Sequence, residues 1–299
     1  MLDEFLATLK DERPQFLRSV LMAREQEPDL FLSLGTTILQ SLNPGHDPKR
    51  TAQLVHSYTA YTYEQNYLQF VYEASGAYPA ASHSEANSGV YQNTEVMLRY
   101  MESLLLTQFL WPHHLQIVRF FIDRFLPRFS ATDVVKSLEL APGHGLFGRL
   151  LLEHLPKATL VAHDISPTSI AIASELAGQN AVSARTQYVV RDALDRTGRL
   201  AQEWDAVISG ELMEHLDDPR LLCEAIAEQL RDDGYGFLTA AITAANLDHV
   251  YEFKGPEDVR CMVLDAGLRI EDEIVATPPT IKAKQTKVPR VQAMIIRRA

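Results

Sequence analysis

The chain has 299 residues, 46% hydrophobic and 22% charged, a composition typical of a folded globular protein with a sizeable core. Its formal net charge of −11 disfavours a nucleic-acid partner, because phosphate backbones are bound by clustered Lys and Arg. No apolar run approaches the ~20 residues that cross a bilayer, and charged residues near the N-terminus argue against a signal peptide. The two cysteines, Cys223 and Cys261, form no CxxC pair. We therefore expect a soluble cytoplasmic protein without a membrane partner.

The first 130 residues have a helical pattern. In "EVMLRYMESLLL" the apolar residues recur at helix spacing and would line one face, namely Met97, Tyr100, Met101, Leu104 and Leu105. A second helix is predicted from Pro112, which suits a first helical position. The adjacent His113 and His114 lie at this helix start, and we expect at least one of them to be exposed to solvent.

A tyrosine-rich segment precedes these two helices. Eight of the eleven tyrosines fall between Tyr58 and Tyr100, and residues 74–94 have the Ala, Ser, Gly and Asn content of a mobile loop. Two interpretations stay open. The loop is an active-site lid, since Tyr offers an apolar face and a polar tip, or it is a surface loop whose tyrosines pack on neighbouring helices. Tyr91 is its candidate ligand-binding residue.

After residue 130, apolar strands alternate with helical patterns, which predicts a parallel sheet covered on both faces. Five such strands are predicted at 134–141, 158–166, 186–193, 203–210 and 235–243. The helix before the fifth strand should close at Gly234 as its C′ residue. The last two strands, 269–277 and 290–298, have no helix between them and must be antiparallel. The predicted fold is therefore α/β, a Rossmann-like seven-stranded sheet with one reversed strand.

The stretch "LELAPGHGLFG" joins the first strand to the next helix. Gly143, Gly145 and Gly148 form a G-x-G-x-x-G, which makes a cradle accessible to a ligand at a helix N-terminus. Asp164 ends the second strand, 21 residues after Gly143, where a carboxylate reaches both hydroxyls of a ribose. NAD sites and S-adenosylmethionine sites share both features, so the glycines alone decide little.

Acidic residues at three positions distinguish an S-adenosylmethionine site from an NAD site. Glu139 lies four residues before Gly143, where it would sit close to an ammonium and a sulfonium but would repel a pyrophosphate. Asp192 follows the third strand, where it can accept from an adenine amino group. "ISGELMEHLDDP" follows the fourth strand, at the sheet edge where ligands bind. The pattern favours S-adenosylmethionine, and NAD stays a minor alternative.

Residues 133–298 resemble a class I S-adenosylmethionine-dependent methyltransferase, on the motifs "ELAPGHG", "AHDIS", "RDAL" and "GELMEHLDDP" in this order. The resemblance implies cofactor-binding residues in the motifs, with Tyr91 added from the upstream loop: Glu139, Ala141, Gly143, His144, Gly145, Asp164, Ile165, Asp192, Ala193, Ser209 and Gly210. His144 departs from the small or acidic residues common in that loop. It is interpreted either as a contact to the methionine carboxylate or substrate, or as a simple loop residue.

Candidate catalytic residues follow the fourth and fifth strands. The ionisable ones at the ligand edge are Glu211, Glu214, His215, Asp248 and His249. His215 belongs to a pattern common across this fold, which favours a structural or cofactor-side role. Asp248 adjoins His249 and can orient the imidazole as a base. These two, with Glu211 or His215, could instead form a metal site, but the spacing is not diagnostic and no metal is predicted.

The resemblance implies methyl transfer to a small molecule, in secondary metabolism in our reading. Residues 1–130 resemble the helical caps of small-molecule methyltransferases, which would close over a catalytic domain of residues 131–299. Two alternatives stay open. The protein alkylates S-adenosylmethionine through its own aminobutyrate chain and releases methylthioadenosine, as azetidine-carboxylate-forming enzymes do, or it is a non-catalytic binding module. The oligomeric state is open, a homodimer being one option.

Overall fold

The computed structural model describes residues 1–78, 94–178, 182–198, 201–279 and 286–299. Tyr91 and most of the predicted lid loop lie outside these ranges. The N-terminal region consists of α1 (Leu2–Glu12), α2 (Pro14–Gln26), α3 (Pro28–Leu42), α4 (Pro48–Ser75), α5 (Thr94–Leu110) and α6 (Pro112–Phe120). A π-helical turn, Phe121–Phe125, and a 3₁₀ turn, Leu126–Arg128, continue α6 toward the sheet. Among the described helices, none is long and apolar enough to cross a membrane.

Local signals explain where these helices begin and end. Pro112 occupies the first turn of α6, as predicted, because its missing N–H would lack an intrahelical partner there in any case. The Asp47 side chain caps α4 by accepting from the Lys49 backbone N–H at 2.9 Å. Gly76 ends α4 with φ +80°, a left-handed conformation that glycine adopts without a Cβ penalty.

The remainder of the chain forms the sheet and its flanking helices. In chain order these are β1 (Lys136–Leu140), α7 (Leu146–His154), β2 (Thr159–Asp164), α8 (Pro167–Gly178), β3 (Thr186–Val190), β4 (Trp204–Ser209), α9 (Arg220–Gln229), β5 (Leu230–Ile242), α10 (Pro256–Asp265), β6 (Leu268–Ala276) and β7 (Arg290–Arg298). Short 3₁₀ turns lie at Ser183–Arg185 and Met213–His215.

The strand order is β3-β2-β1-β4-β5-β7-β6. β7 pairs antiparallel with both β5 and β6, and the pairs among β1 to β5 are parallel. The structure therefore confirms the predicted seven-stranded sheet with one reversed strand. The carboxyl ends of β1, β2, β4 and β5 lie along one edge, and this edge positions the site described below.

The predicted end of the helix before β5 is wrong. The helix stops at Gln229, and Gly234 lies inside β5 rather than after a helix. A Cβ at Gly234 would lie 2.9 Å from the Asp205 carbonyl oxygen and 3.0 Å from that of Trp204. Glycine is needed there because β4 and β5 approach closely where their register shifts, between Trp204 and Ala206.

An aromatic cluster joins the N-terminal helices to the sheet. Phe121, in the π-helical turn, lies with its ring centroid 5.0 Å from Phe147 of α7 and 4.8 Å from Phe237 of β5. One buried hydrophobic cluster extends from Phe5 in α1 to Ile295 in β7. The helical region is thus packed onto the sheet through apolar side chains, and the division into two domains at residue 130 stays a prediction.

Candidate functional site

A cavity of about 760 Å³ lies between the carboxyl edge of the sheet and the helices α2, α4 and α5. Its volume is within the usual range of ligand sites, roughly 300–1,000 Å³. Many of the sequence-predicted residues line it, namely Glu139, Ala141, Gly143, His144, Asp164, Ile165, Gly210, Glu211, His215, Asp248 and His249. The two regions of the chain therefore share a single cavity, with the predicted cofactor and catalytic residues in one wall.

The glycine loop presents backbone to this cavity. Gly143 has φ +54° and Gly145 has φ +69°, both in the left-handed region that favours glycine. Gly145 lies at the N-terminus of α7, where unsatisfied backbone N–H groups can meet a ligand. The His144 Nδ1 accepts from the Leu146 N–H at 3.3 Å, and desolvation lowers the pKa of His144 to about 4. His144 is therefore neutral near pH 7, with its Nε2–H as the donor.

Glu139 lies at the end of β1, and its side chain packs where a Cβ at Gly148 would lie, which accounts for the third glycine of the G-x-G-x-x-G. Its Oε1 accepts from the Gly148 N–H at 3.3 Å, whereas the buried Oε2 has no hydrogen-bond partner in the part of the chain that the structure describes. A Cβ at Gly148 would lie 2.3 Å from Oε2 and 2.5 Å from a methyl carbon of Leu160. Burial raises the pKa of Glu139 to about 8. Gly148 thus makes room for the buried carboxyl group of Glu139, a residue that also lines the cavity.

We expect Gly148→Ala to lower the free energy of unfolding by about 1–3 kcal/mol, the usual cost of overpacking a core. The added methyl must displace both Glu139 and Leu160, and both are buried. Chemical denaturation measures the change. Gly45→Ala is the matched control, since nothing lies within 4 Å of its Cβ position. An equal effect of the two substitutions would contradict the close packing of Glu139 on α7.

Asp164 faces the cavity from the end of β2. It is 8% exposed, and its Oδ1 accepts from the Ser166 N–H at 2.8 Å. Burial raises the pKa of Asp164 to about 6, against the opposite effect of backbone hydrogen bonds from Ser166 and Gly143. A carboxylate at this position can accept further hydrogen bonds from a polar ligand in the cavity.

Four predicted cofactor residues are not among those that line the cavity: Gly145, Asp192, Ala193 and Ser209. Asp192 is exposed, and its Oδ1 accepts from the Leu194 N–H at 2.7 Å. Ala193 is buried in the hydrophobic cluster on the other side of β1 and β4. Ser209 is fully buried at the end of β4, with its Oγ lacking a hydrogen-bond partner. Tyr91 lies outside the described residues.

Glu211 and Asp248 bring two more carboxyl groups to the wall of the cavity. Glu211 has φ +48°, an unusual backbone conformation for a residue other than glycine, and its N–H donates to the Thr239 Oγ1 at 2.9 Å. Such strained positions cluster at functional sites. Asp248 is 1% exposed and accepts from the Tyr100 hydroxyl at 3.2 Å. Burial, and then the neighbouring Asp248, raises the pKa of Glu211 to about 7.

Beside this pair lies a group with the donor set of a metal site. Glu214, His215 and His249 each offer a ligand atom, and these atoms lie within 4.8 Å of one another. The Nδ1 of His215 lies 3.0 Å from the Asp248 carbonyl oxygen, and that of His249 lies 2.7 Å from the Ala244 carbonyl oxygen. In the structure the carboxylate beside the two imidazoles is that of Glu214, whereas the sequence interpretation grouped Asp248 and His249 with either Glu211 or His215.

The prediction that His113 or His114 is exposed to solvent is wrong. Both are buried and both line the cavity, because α6 packs against α2 and α5 with its first turn facing inward. His113 stacks on Trp111 with ring centroids 5.4 Å apart, and the His114 Nδ1 lies 3.0 Å from the Thr107 Oγ1. Burial lowers the pKa of both imidazoles, to about 3 for His113. The cap thus adds two neutral histidines to the site.

Sequence reasoning missed the aromatic and amide residues of the cap that face the cavity. Tyr61 packs edge-on against Tyr100, with centroids 5.8 Å apart, and stacks on Trp111 at 6.0 Å. Gln65 donates to the Asn246 Oδ1 at 3.0 Å, and the Asn246 amide donates to the Tyr100 hydroxyl at 2.9 Å. The density of tyrosines signalled this region, but the partners are too distant in sequence for pattern reasoning to pair them.

Comparisons with known proteins agree with this geometry. A protein-family model described as "Methyltransferase domain" matches residues 138–235. A ubiquinone biosynthesis O-methyltransferase of Xanthomonas axonopodis pv. citri is 26% identical over 43% of this chain and 62% of the relative. Another, of Brucella anthropi, is 27% identical over 48% of this chain and 64% of the relative. The chain thus spans less than two thirds of these curated relatives.

A similar solved structure extends over most of the chain. An O-methyltransferase family protein from Burkholderia thailandensis superposes with a TM-score of 0.56 at 14% identity, covering 81% of this chain and 71% of that protein. At this identity the likeness shows the fold alone. It confirms the predicted Rossmann-like fold, and the domain match confirms the predicted methyltransferase resemblance.

Proposed function

We propose that this chain, which contains a methyltransferase domain of the class I S-adenosylmethionine-dependent fold, transfers a methyl group to a small-molecule acceptor in the cavity beneath its helical cap. The supporting observation is the lining of the cavity. The predicted cofactor residues Gly143, Glu139 and Asp164 line the same cavity as the two carboxyl groups of Glu211 and Asp248. At about 760 Å³ the cavity leaves space for an acceptor beside a cofactor.

The residues present fit S-adenosylmethionine. Glu139 would place a carboxyl group near the positive charges of the cofactor, and Asp164 would accept from the ribose hydroxyls. Gly143 lines the cavity with its backbone, and a side chain at this position would take up space needed by a ligand. When bound, the cofactor supplies a methyl group activated by positively charged sulfur, and its carbon–sulfur bond breaks as the acceptor is methylated.

Residues of this chain would accept the proton, orient the acceptor and exclude water. Glu211 would accept the proton that the acceptor hydroxyl releases, and Asp248, held by Tyr100, would orient that hydroxyl. The aromatic residues of the cap, Tyr61 and Trp111, would exclude water and confine the acceptor. The names of the curated relatives support oxygen as the methylated atom. A role in secondary metabolism, a cytoplasmic location and a homodimer stay predictions.

The test is a product assay. Purified protein is incubated with S-adenosylmethionine, with and without a panel of small hydroxylated aromatic compounds, and the products are identified by mass spectrometry. S-adenosylhomocysteine that appears only with an acceptor, together with a methylated acceptor, supports the proposal. Methylthioadenosine formed without any acceptor would overturn it in favour of self-alkylation. Cofactor binding without product across the panel would favour a binding module.

The affinity for S-adenosylmethionine is expected to rise with pH and to level off above about pH 8. With a pKa of about 8, Glu139 is mostly protonated at pH 7 in the free protein. A cationic ligand beside it favours the ionised form and so lowers its pKa in the complex. Between the bound and free pKa values, each pH unit can raise the affinity up to about tenfold.

Calorimetric titrations across this pH range measure the effect, and Glu139→Gln should remove the dependence near pH 8. Methylthioadenosine is the matched ligand, because it lacks both positive charges and should bind without this dependence. A slope that persists in Glu139→Gln would assign the proton to another group, and Asp164, with its pKa of about 6, would produce its own slope at lower pH.

A further inference from the structure

We propose that Glu214, His215 and His249 bind one divalent transition-metal ion at the floor of the cavity. Glu214 and His215 lie on the 3₁₀ turn after β4, and His249 lies in the segment after β5. These segments follow neighbouring strands, so the sheet brings the three side chains together. Their ligand atoms lie within 4.8 Å of one another, close enough for small movements to place all three on one ion.

Hydrogen bonds to backbone carbonyl oxygens fix the tautomers of His215 and His249 so that one ring nitrogen of each is available to a metal ion. The His249 Nδ1 lies 2.7 Å from the Ala244 carbonyl oxygen, and the His215 Nδ1 lies 3.0 Å from the Asp248 carbonyl oxygen. A carbonyl oxygen only accepts, so Nδ1 carries the proton in each ring and Nε2 carries the lone pair. Metal-binding histidines are commonly oriented in this way, with the second ring nitrogen donating to a carbonyl or carboxylate.

The Glu214 carboxyl group is the independent observation that points to a ligand. It is 0% exposed, and neither of its oxygens has a hydrogen-bond partner of ordinary geometry among the described residues, although the backbone N–H groups of Glu214 itself and of Ala241 lie close enough to act on it. An unsatisfied buried polar group is costly to the fold. The charged side chains that act on it include Glu211 and Asp248, which are also acidic and cannot neutralise it. A cation between Glu214 and the two imidazoles would supply both the missing partner and the missing charge.

The donor set selects the kind of metal. Two imidazole nitrogens and one carboxylate suit Zn²⁺, Fe²⁺, Co²⁺ or Mn²⁺, whereas Ca²⁺ and Mg²⁺ prefer oxygen ligands. Three protein ligands leave coordination positions open, and His215 and His249 both line the cavity. If the proposed function holds, an acceptor hydroxyl can occupy an open position, where a metal lowers the pKa of a bound oxygen. The metal site itself does not depend on that function.

The test measures metal binding without cofactor or acceptor. The full chain is stripped with a chelator, titrated with Co²⁺ and with Zn²⁺, and followed by the visible absorption of Co²⁺ and by metal analysis after dialysis. We expect one ion per chain, and at least about a tenfold loss of affinity in Glu214→Gln and in His249→Ala. Glu25→Gln and His56→Ala are the controls, since both residues are exposed and neither is among those that line the cavity.

Circular dichroism checks that each variant is folded, and the isosteric Glu214→Gln keeps the test valid if His249→Ala is unstable. A wild-type chain that binds neither metal stoichiometrically would overturn the proposal, as would unchanged affinity in both variants. Neither result bears on methyl transfer, which is assayed by its products. Absence of methyl transfer would in turn leave the metal stoichiometry unaffected.

Discussion

Asp164→Ala is expected to weaken binding of S-adenosylmethionine by about 10- to 100-fold, the loss that follows when hydrogen bonds to a charged group are removed. Asp164 is buried at the end of β2 and faces the cavity, and one of its oxygens is already held by the Ser166 N–H. In the proposed complex this carboxylate accepts from the ribose hydroxyls, which would lose their partner in the variant. Isothermal titration calorimetry measures the dissociation constant.

Two further variants show whether this effect is specific. Asp265→Ala removes an exposed carboxylate far along the chain, on α10, and should leave affinity unchanged. Asp192→Ala should change affinity less than about twofold, as surface substitutions do, because the structure places Asp192 outside the cavity lining. Equal losses in the Asp164 and Asp192 variants would restore the sequence-based assignment of Asp192 to the adenine. Unchanged affinity in Asp164→Ala would refute the cofactor site.

Glu211→Gln is expected to lower kcat by about 10²–10⁴-fold, the usual contribution of a general base, with little change in KM. Glutamine keeps the size and hydrogen-bonding reach of the side chain but cannot accept the acceptor's proton as a carboxylate does. The backbone at this position, with φ +48°, is held by the Thr239 hydroxyl and should tolerate both residues equally. Steady-state kinetics with an identified acceptor give both constants.

The control for this substitution is Glu25→Gln, an identical change at an exposed position of α2. A loss confined to KM would make Glu211 a binding residue rather than the proton acceptor. An unaltered kcat would exclude Glu211 as the proton acceptor, and Asp248→Asn would then be the next variant to measure, since Asp248 lines the same cavity and is a charged neighbour of Glu211.

The local sequence pattern predicted most of the strands of the sheet, but it gave the wrong role to Gly234, because glycine is favoured both at helix ends and where two strands approach closely. The apolar runs located the strands because the strands of a parallel sheet are buried on both faces. Gly234 was interpreted as a helix end because glycine favours the C′ position. In the structure it is required by the close approach of β4 and β5. The sequence contains the same letter in both cases, and only strand pairing distinguishes them.

Burial of the cap histidines shows a similar limit. His113 and His114 follow Pro112 at a helix start, which the sequence located correctly. Which side of that first turn faces inward depends on how α6 packs against α2 and α5. Periodicity describes one helix at a time, so it carries no information about the partner that covers the face.

The sequence by itself determined the sheet edge and the acidic residues along it. Glu139, Asp164 and Glu211 each lie at or just after the end of a strand, and parallel strands bring their carboxyl ends to one edge whatever the packing elsewhere. Only the tertiary structure decided which side chains meet across that edge. Glu214 joins His249, and Tyr100 joins Asp248 across 148 positions of chain. Such contacts are fixed by the docking of the cap and loops on the sheet, and local pattern does not encode that geometry.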